Sequence, residues 1–175
     1  YIKMIGIEMK AILFAHYGST NILKVTDVEK PILKTKQILI QVKAFGINPI
    51  DWKLRRGDMQ SFIPLPLPFI LGSEAAGVVV ELSDDVHDLN IGDRVYGRTQ
   101  HAYAEYCIMN ADQVAPIPEF LSFKQAASLA SGPQVAYSAL KTVAKLKNGQ
   151  KVLIHAGAGG VGTAAIQIAK SRGAH

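Results

Sequence analysis

Lys151-Val152-Leu153-Ile154-His155, then Ala156-Gly157-Ala158-Gly159-Gly160-Val161-Gly162, then Thr163-Ala164-Ala165-Ile166-Gln167-Ile168-Ala169-Lys170 is the stretch on which the fold turns. The first five residues read as a short apolar strand and the last eight as a helix, with a glycine-rich turn between them. Gly157, Gly159 and Gly162 form G-x-G-x-x-G in the strand–turn–helix setting that gives the pattern weight. The first glycine permits a sharp turn, the second lets the backbone approach a pyrophosphate, and the third lets the helix pack close to the strand. The start of the helix adds unpaired N–H groups and partial positive charge. Gly157, Ala158, Gly159, Gly160, Val161 and Gly162 are therefore the expected dinucleotide-binding residues. The alternative is a tight turn that only packs a helix on a sheet. The residue that separates NAD from NADP falls about 20 residues further on, past His175, so that choice is not written here.

Upstream of about residue 120 the pattern is different. Lys10–Phe14, Ile38–Phe45, Ala75–Leu82, Arg94–Tyr96 and Ala102–Met109 read as short strands between Gly, Pro and Asn/Asp turns. Gly92-Asp93 marks a turn, and Pro64, Pro66 and Pro68 forbid regular structure between Ser61 and Phe69. That spacing predicts a small β-barrel or sandwich. From Leu121 the periodicity becomes helical. Ser122 caps a helix over Phe123–Leu129, and a second spans Val135–Leu146 and stops at Asn148-Gly149. The expected organisation is a β-rich domain over 1–125 and, over 126–175, linking helices plus the first βα unit of an α/β domain.

The 175 residues can bury the core of one domain or one and a half, and 49% hydrophobic with 19% charged is ordinary for a soluble globular chain. The formal charge of +5 comes from scattered lysines, densest at Lys34/Lys36 and Lys141/Lys145/Lys147/Lys151, which reads as solvated faces and argues against nucleic acid. Cys107 is the single cysteine, so a disulfide framework and a multi-cysteine zinc site are excluded within this chain. A reducing, cytoplasmic setting follows as the expectation. No run approaches the roughly 18 apolar residues of a membrane span, and no basic-then-apolar leader is visible. Met9 reads as a natural start, with Tyr1 to Glu8 upstream or added.

Four further segments occur in order: Asn48-Pro49-Ile50-Asp51-Trp52-Lys53-Leu54-Arg55-Arg56-Gly57, Leu71-Gly72-Ser73-Glu74-Ala75-Ala76-Gly77-Val78-Val79, Gly92-Asp93-Arg94-Val95-Tyr96-Gly97 and Ala102-Tyr103-Ala104-Glu105-Tyr106. With Ala158-Gly159-Gly160-Val161-Gly162 they make the chain, from Met9 to His175, resemble the medium-chain dehydrogenase/reductases, and within them the zinc-free quinone oxidoreductases. The resemblance implies a GroES-like catalytic β-barrel domain followed by the start of a Rossmann domain. It implies NADPH as the usual hydride donor, with NADH not excluded, to a quinone or an α,β-unsaturated carbonyl. Relatives often form homodimers.

The zinc-containing alcohol dehydrogenases of the same superfamily place a cysteine ligand where this chain has Asn48 and a histidine ligand where it has Ser73. Neither Asn nor Ser suits zinc, so the expectation is no metal, with Glu74 left as the acidic neighbour. His16, His87, His101 and His155 read as surface or packing residues.

By resemblance, Asn48 would hydrogen-bond in the nicotinamide and substrate region, and Asp51 and Arg55 would fix the loop around it. The competing readings are a simple turn at Asn48-Pro49 and a surface i, i+4 ion pair between Asp51 and Arg55. Lys53 stands where many quinone reductases have a tyrosine, so it either binds an oxyanion or marks a lost role. Val135 stands where the family often has a threonine near the nicotinamide. Tyr103, Tyr106 and Tyr137 read first as packing and second as proton donors; Cys107 reads as a small core residue.

These 175 residues hold only the opening of a Rossmann domain, and the expectation is a fragment that is inactive alone. Two other functions remain open: a non-catalytic GroES-like interaction or RNA-binding module, and, less favoured, a zinc-type alcohol dehydrogenase.

Overall fold

The computed structural model describes residues 8–175, so the expectation for Tyr1 to Ile7 as upstream or added residues lies outside the described residues. Two units follow each other, one ending at Ala127 and the other running Ser128–His175.

The first unit is built on β3 (Gln37–Phe45), whose Ile38, Leu39 and Ile40 are all fully buried. A run of consecutive apolar residues is what a strand covered on both faces requires. β3 pairs antiparallel with β5 (Glu74–Leu82) on one edge and β7 (Tyr106–Asn110) on the other. β6 (Arg94–Arg98) and β8 (Val114–Pro116) complete a five-stranded sheet in the order β7-β3-β5-β6-β8. β1 (Glu8–Phe14), β2 (Lys24–Glu29) and β4 (Phe69–Ile70) form a second sheet in the order β2-β1-β4. Ile38, Ile40, Val79, Val95, Cys107 and Met109 make the main core cluster.

The expected barrel is not closed. The sheets meet at one bridge, Ala11 to Ala104, flanked by Ile12 N–H to the Tyr103 carbonyl at 2.8 Å and Glu105 N–H to the Lys10 carbonyl at 2.9 Å. Closure needs a continuous ladder, and the edge strands β4 and β8 span only two and three residues. The expected strand Ala102–Met109 is correspondingly split, with only Tyr106–Asn110 in the main ladder. β2 was absent from the sequence expectation because Lys24-Val25-Thr26-Asp27-Val28-Glu29 is a polar, exposed edge without an inward face. Such composition protects an edge from further pairing. Register shifts between Leu39/Ile40 and Val42/Ala44 in the β3–β5 pair bend the strand end that leads through Gly46 into α1 (Pro49–Arg56). A short helix, α2 (Phe123–Ala127), follows the Ser122 cap, where the Gln125 N–H donates to Ser122 Oγ at 3.3 Å.

In the second unit, α3 (Gly132–Tyr137) begins three residues earlier than expected, since Pro133 is compatible with a first helical turn. It continues as a π-helical turn over Ser138–Val143, short of the expected end at Leu146. α4 (Gly160–Ser171) packs on it through Ala136, Leu140, Ala164, Ala165 and Ala169. The expected strand Lys151–His155 is not a strand: 151–154 joins no ladder and His155 already lies in the turn. Val152 N–H donates to the His175 carbonyl at 2.8 Å and His175 N–H to the Gln150 carbonyl at 2.9 Å. A strand is defined by a ladder, and this segment joins none among the described residues.

Burial pushes the Cys107 thiol from its ordinary 9.0 up to about 12. Below pH 9 the thiol is protonated in both states and adds no pH dependence; between 9 and 12 only the unfolded chain loses the proton, so stability falls as pH rises. We expect the fall to be shallower in Cys107→Ala, by at most about 1.4 kcal/mol per pH unit, in urea unfolding from about pH 9 to 11.

Candidate active site

In the first unit, the end of β3 and the start of α1 bring a set of polar side chains together below the surface. Asn48 is the N-cap of α1 and Pro49 follows at the first helical position. The Asp51 carboxylate accepts the Asn48 backbone N–H at 2.7 Å, and the Asp51 N–H donates to the Asn48 carbonyl at 2.9 Å. This reciprocal pairing satisfies donors that every helix start leaves unpaired. The Asn48 side chain takes part in the capping box with Asp51, and its Nδ2 donates to Glu74 Oε1 at 2.6 Å. Tyr103 Oη donates to Asp51 Oδ2 at 3.0 Å, and its ring lies 4.5 Å from that of Phe45. Asp51, Arg55, Glu74 and Tyr103 are all buried.

Asp51 and Arg55 do not form the expected surface ion pair. Both are buried, and the Arg55 Nη1 donates to the Gly18 carbonyl at 2.6 Å, tying α1 to the loop after β1. No ion pair joins the two among the described residues. Tyr103, read first as packing, is buried and also bonded. Burial first, then the Asp51 carboxylate through its charge and hydrogen bond, pushes its phenol above the ordinary tyrosine range. It is held as a protonated donor to Asp51.

Lys53 stands apart from this cluster. It is exposed, and its Nζ lies 5.6 Å from the Trp52 ring centre, with the Arg56 guanidinium 5.2 Å from the same ring. The geometry gives it no contact with Asn48 or Asp51.

The residue that sequence reasoning undervalued is Glu74, noted only as an acidic neighbour. Its signal was Gly46, two residues before Asn48. A Cβ at Gly46 would lie 2.6 Å from Glu74 Cδ and closer still to its Oε1, so only glycine leaves room for the carboxyl group. His101 packs its ring edge-on to Phe69 at 4.8 Å. Among the described residues no group of three or more His, Cys, Asp or Glu side chains is placed to hold a metal.

In the second unit, Gly157–Gly162 forms the turn into α4. The left-handed residue is Ala156, at φ 54°, rather than Gly157. Gly162 takes the expected packing role: a Cβ there would lie 2.7 Å from Gly157 Cα and closer to the Ala156 carbonyl. Gly160 faces open space, with nothing within 4 Å of a Cβ placed on it. The first-turn N–H groups of α4 have no partners inside the helix, the kind of donor set that a phosphate can use. Gly132 at the head of α3 abuts this turn, its Cβ position 3.2 Å from the Gly160 carbonyl oxygen. Val135 lies exposed on α3, and Tyr137 accepts a hydrogen bond from Lys141 one turn later.

Gly46→Ala should displace the Glu74 carboxyl group and release Asn48. We expect a loss of about 1–3 kcal/mol, as for overpacked sites, measured by denaturant unfolding, with the β3–β5 sheet retained by circular dichroism.

Residues 34–119 match the model of the alcohol dehydrogenase GroES-like domain. Quinone oxidoreductase of Mus musculus is 37% identical over 169 residues, covering 94% of this chain and 50% of that protein. A 2-methylene-furan-3-one reductase of Solanum lycopersicum is 38% identical over 174 residues, covering 93% and 44%. The structure of Escherichia coli quinone oxidoreductase complexed with NADPH superposes with a TM-score of 0.82 at 34% identity, over 94% of this chain and 50% of that one. The chain thus spans about half the length of the curated relatives it matches. On these matches the chain belongs to the medium-chain dehydrogenase/reductase superfamily, in its quinone oxidoreductase-like branch.

Proposed function

We propose that these residues form the catalytic domain and the phosphate-binding opening of an NADPH-dependent reductase of quinones or α,β-unsaturated carbonyls. The observation that carries the reading is the α4 N-terminus, left open at Gly160 behind a turn that Gly162 packs tightly. That opening fits a pyrophosphate through backbone N–H groups and the helix dipole. When bound, NADPH supplies a hydride. Gly157, Ala158, Gly159, Gly160, Val161 and Gly162 would hold its phosphates, and Val135 and Asn48 would border its nicotinamide. Asn48, oriented by Glu74, and Asp51, held by Tyr103, keep a polar rim at the start of α1. Lys53 is free to meet substrate from solvent, which suits an accessory role.

Asn48 and Ser73, at the positions where zinc enzymes have ligands, are poor donors for zinc. Conjugated acceptors suit a site that works by positioning, because conjugation spreads the developing charge. The names of the mouse and tomato relatives point to the same substrate classes, and the cofactor of the E. coli structure points to NADPH. A homodimer in the complete protein and action in the cytoplasm belong to the same reading. Among the described residues no helix is long and apolar enough to cross a membrane.

The 175 residues alone should bind poorly. Micromolar affinity needs about 8 kcal/mol, whereas a helix end supplies at most about 2 and a charge-assisted hydrogen bond about 1.5–3. We expect fluorescence titration of the isolated chain to show NADPH binding weaker than micromolar and no steady quinone turnover. Joined after His175 to the remaining half of the E. coli enzyme, the chain should reduce a naphthoquinone with NADPH. A folded chimera that binds NADPH but reduces neither quinone nor enone would overturn the proposal.

A further inference from the structure

His101, three residues past β6, has a backbone φ of 62°, a left-handed conformation that residues other than glycine rarely adopt. The chain is pinned on both sides of it. Thr99 N–H donates to the Ser73 carbonyl at 3.1 Å, Ala102 N–H to the Gly72 carbonyl at 3.3 Å and Tyr103 N–H to the Leu71 carbonyl at 3.0 Å. The imidazole is turned back onto β4. Its Nδ1 lies 2.9 Å from the Ile70 carbonyl oxygen, and its ring packs on Phe69 with centres 4.8 Å apart. A carbonyl oxygen only accepts, so Nδ1 carries the proton, and in the neutral ring Nε2 keeps its lone pair. The residue is exposed, and Nε2 has no partner among the described residues. The other four histidines, His16, His87, His155 and His175, are exposed too, but among the described residues none of their ring nitrogens is hydrogen-bonded.

We infer that Nε2 of His101 is a nucleophile that captures α,β-unsaturated carbonyl compounds covalently, singled out from the other histidines by the bond to Ile70. The lone pair of Nε2 forms a C–N bond to the β-carbon. The π pair of the C=C bond moves to the α-carbon, which takes a proton from water. The ring becomes an alkylimidazolium that keeps its Nδ1 proton on the Ile70 carbonyl, and nothing is oxidised or reduced. As Nε2 attacks, positive charge develops on the ring, and the Nδ1–H···O=C bond becomes charge-assisted, roughly twice as strong as a neutral one. A bond that is stronger in the transition state than before it accelerates the step. The acceptor is already in place, so no reorganisation is needed at the moment of reaction. The capture uses no hydride and no cofactor, and so stands or falls separately from the reductase reading.

The test treats the 175-residue chain, without NADPH, with methyl vinyl ketone at about pH 8, above the ordinary histidine range. Peptide mapping by mass spectrometry follows the adduct at each histidine with time. We expect His101 to react about three- to tenfold faster than any of the other four, as a hydrogen bond that gains part of a charge would give. In 15N spectra of the untreated chain, Nδ1 of His101 should appear protonated and Nε2 unprotonated. His101→Asn tolerates the left-handed backbone, so it should retain the fold by circular dichroism and lose the fast adduct, with the other histidines labelled as before. Labelling of His101 no faster than that of the others overturns the inference, as does a ring whose proton sits on Nε2. Should the variant fail to fold, the wild-type rates and spectra decide the matter alone.

Discussion

The pairing of β3 with β5 is the constraint on which the first unit depends. β3 is buried on both faces and bonded along both edges, so its register leaves little freedom. The register places Phe45 opposite Ala75 at the end of the ladder. Gly46 and Glu74 therefore face each other one step further on, where Gly46 N–H donates to the Glu74 carbonyl at 3.3 Å. From that point the polar cluster is nearly obligatory. Glu74 enters the interior because Gly46 has no side chain; Asn48 must satisfy it; and Asp51, freed from Arg55, caps the helix that Asn48 begins. A slip of one residue would turn Glu74 to the other face of the sheet and leave Asn48 without its partner.

Most buried polar groups find a partner, and in this cluster the exception among the described residues is Glu74 Oε2. Tyr103 reaches Asp51 from the segment that bridges the two sheets, so the sheets and the site share residues rather than merely adjoining. Arg55 works in the opposite direction, fixing α1 to Gly18 beyond β1. α1 is therefore anchored at both ends by residues far away in sequence. The start and end of α1 are thus fixed by hydrogen bonds to Glu74 and Gly18 within the first unit.

The second unit depends on a different restriction, the close approach of the turn to α4. At Gly162 the Ala156 carbonyl and Gly157 Cα fill the space of a side chain, whereas at Gly160 the space is empty. Gly162, the last glycine of the motif, is needed for packing, whereas the open position, Gly160, is not one of the motif's three glycines. The sharp bend itself falls on Ala156, because the positive φ is needed one residue before the motif begins. That was not visible in the glycine pattern, which marks where a side chain is excluded and not where the chain turns.

Local chemistry made several features legible: the long apolar strands at β3 and β5, the Ser122 cap, the glycine turn and the helix behind it. The resemblance pointed to Asn48 and Asp51, but their pairing as cap and partner at the start of α1 was not read from it. Edge strands escaped because β2 has no apolar face and β4 and β8 are too short for periodicity. The strand expected over Lys151–His155 failed to appear because composition reports a tendency, and a ladder needs a neighbour. The sequence by itself determined which residues can turn, cap and pack, all matters of covalent structure within a few positions. Only the tertiary structure decided that Glu74 meets Asn48, that Tyr103 meets Asp51, and that Arg55 leaves Asp51 for Gly18. Those partners are 26 to 52 residues apart, and burial, which gives each pairing its consequence, exists only once the sheets are formed.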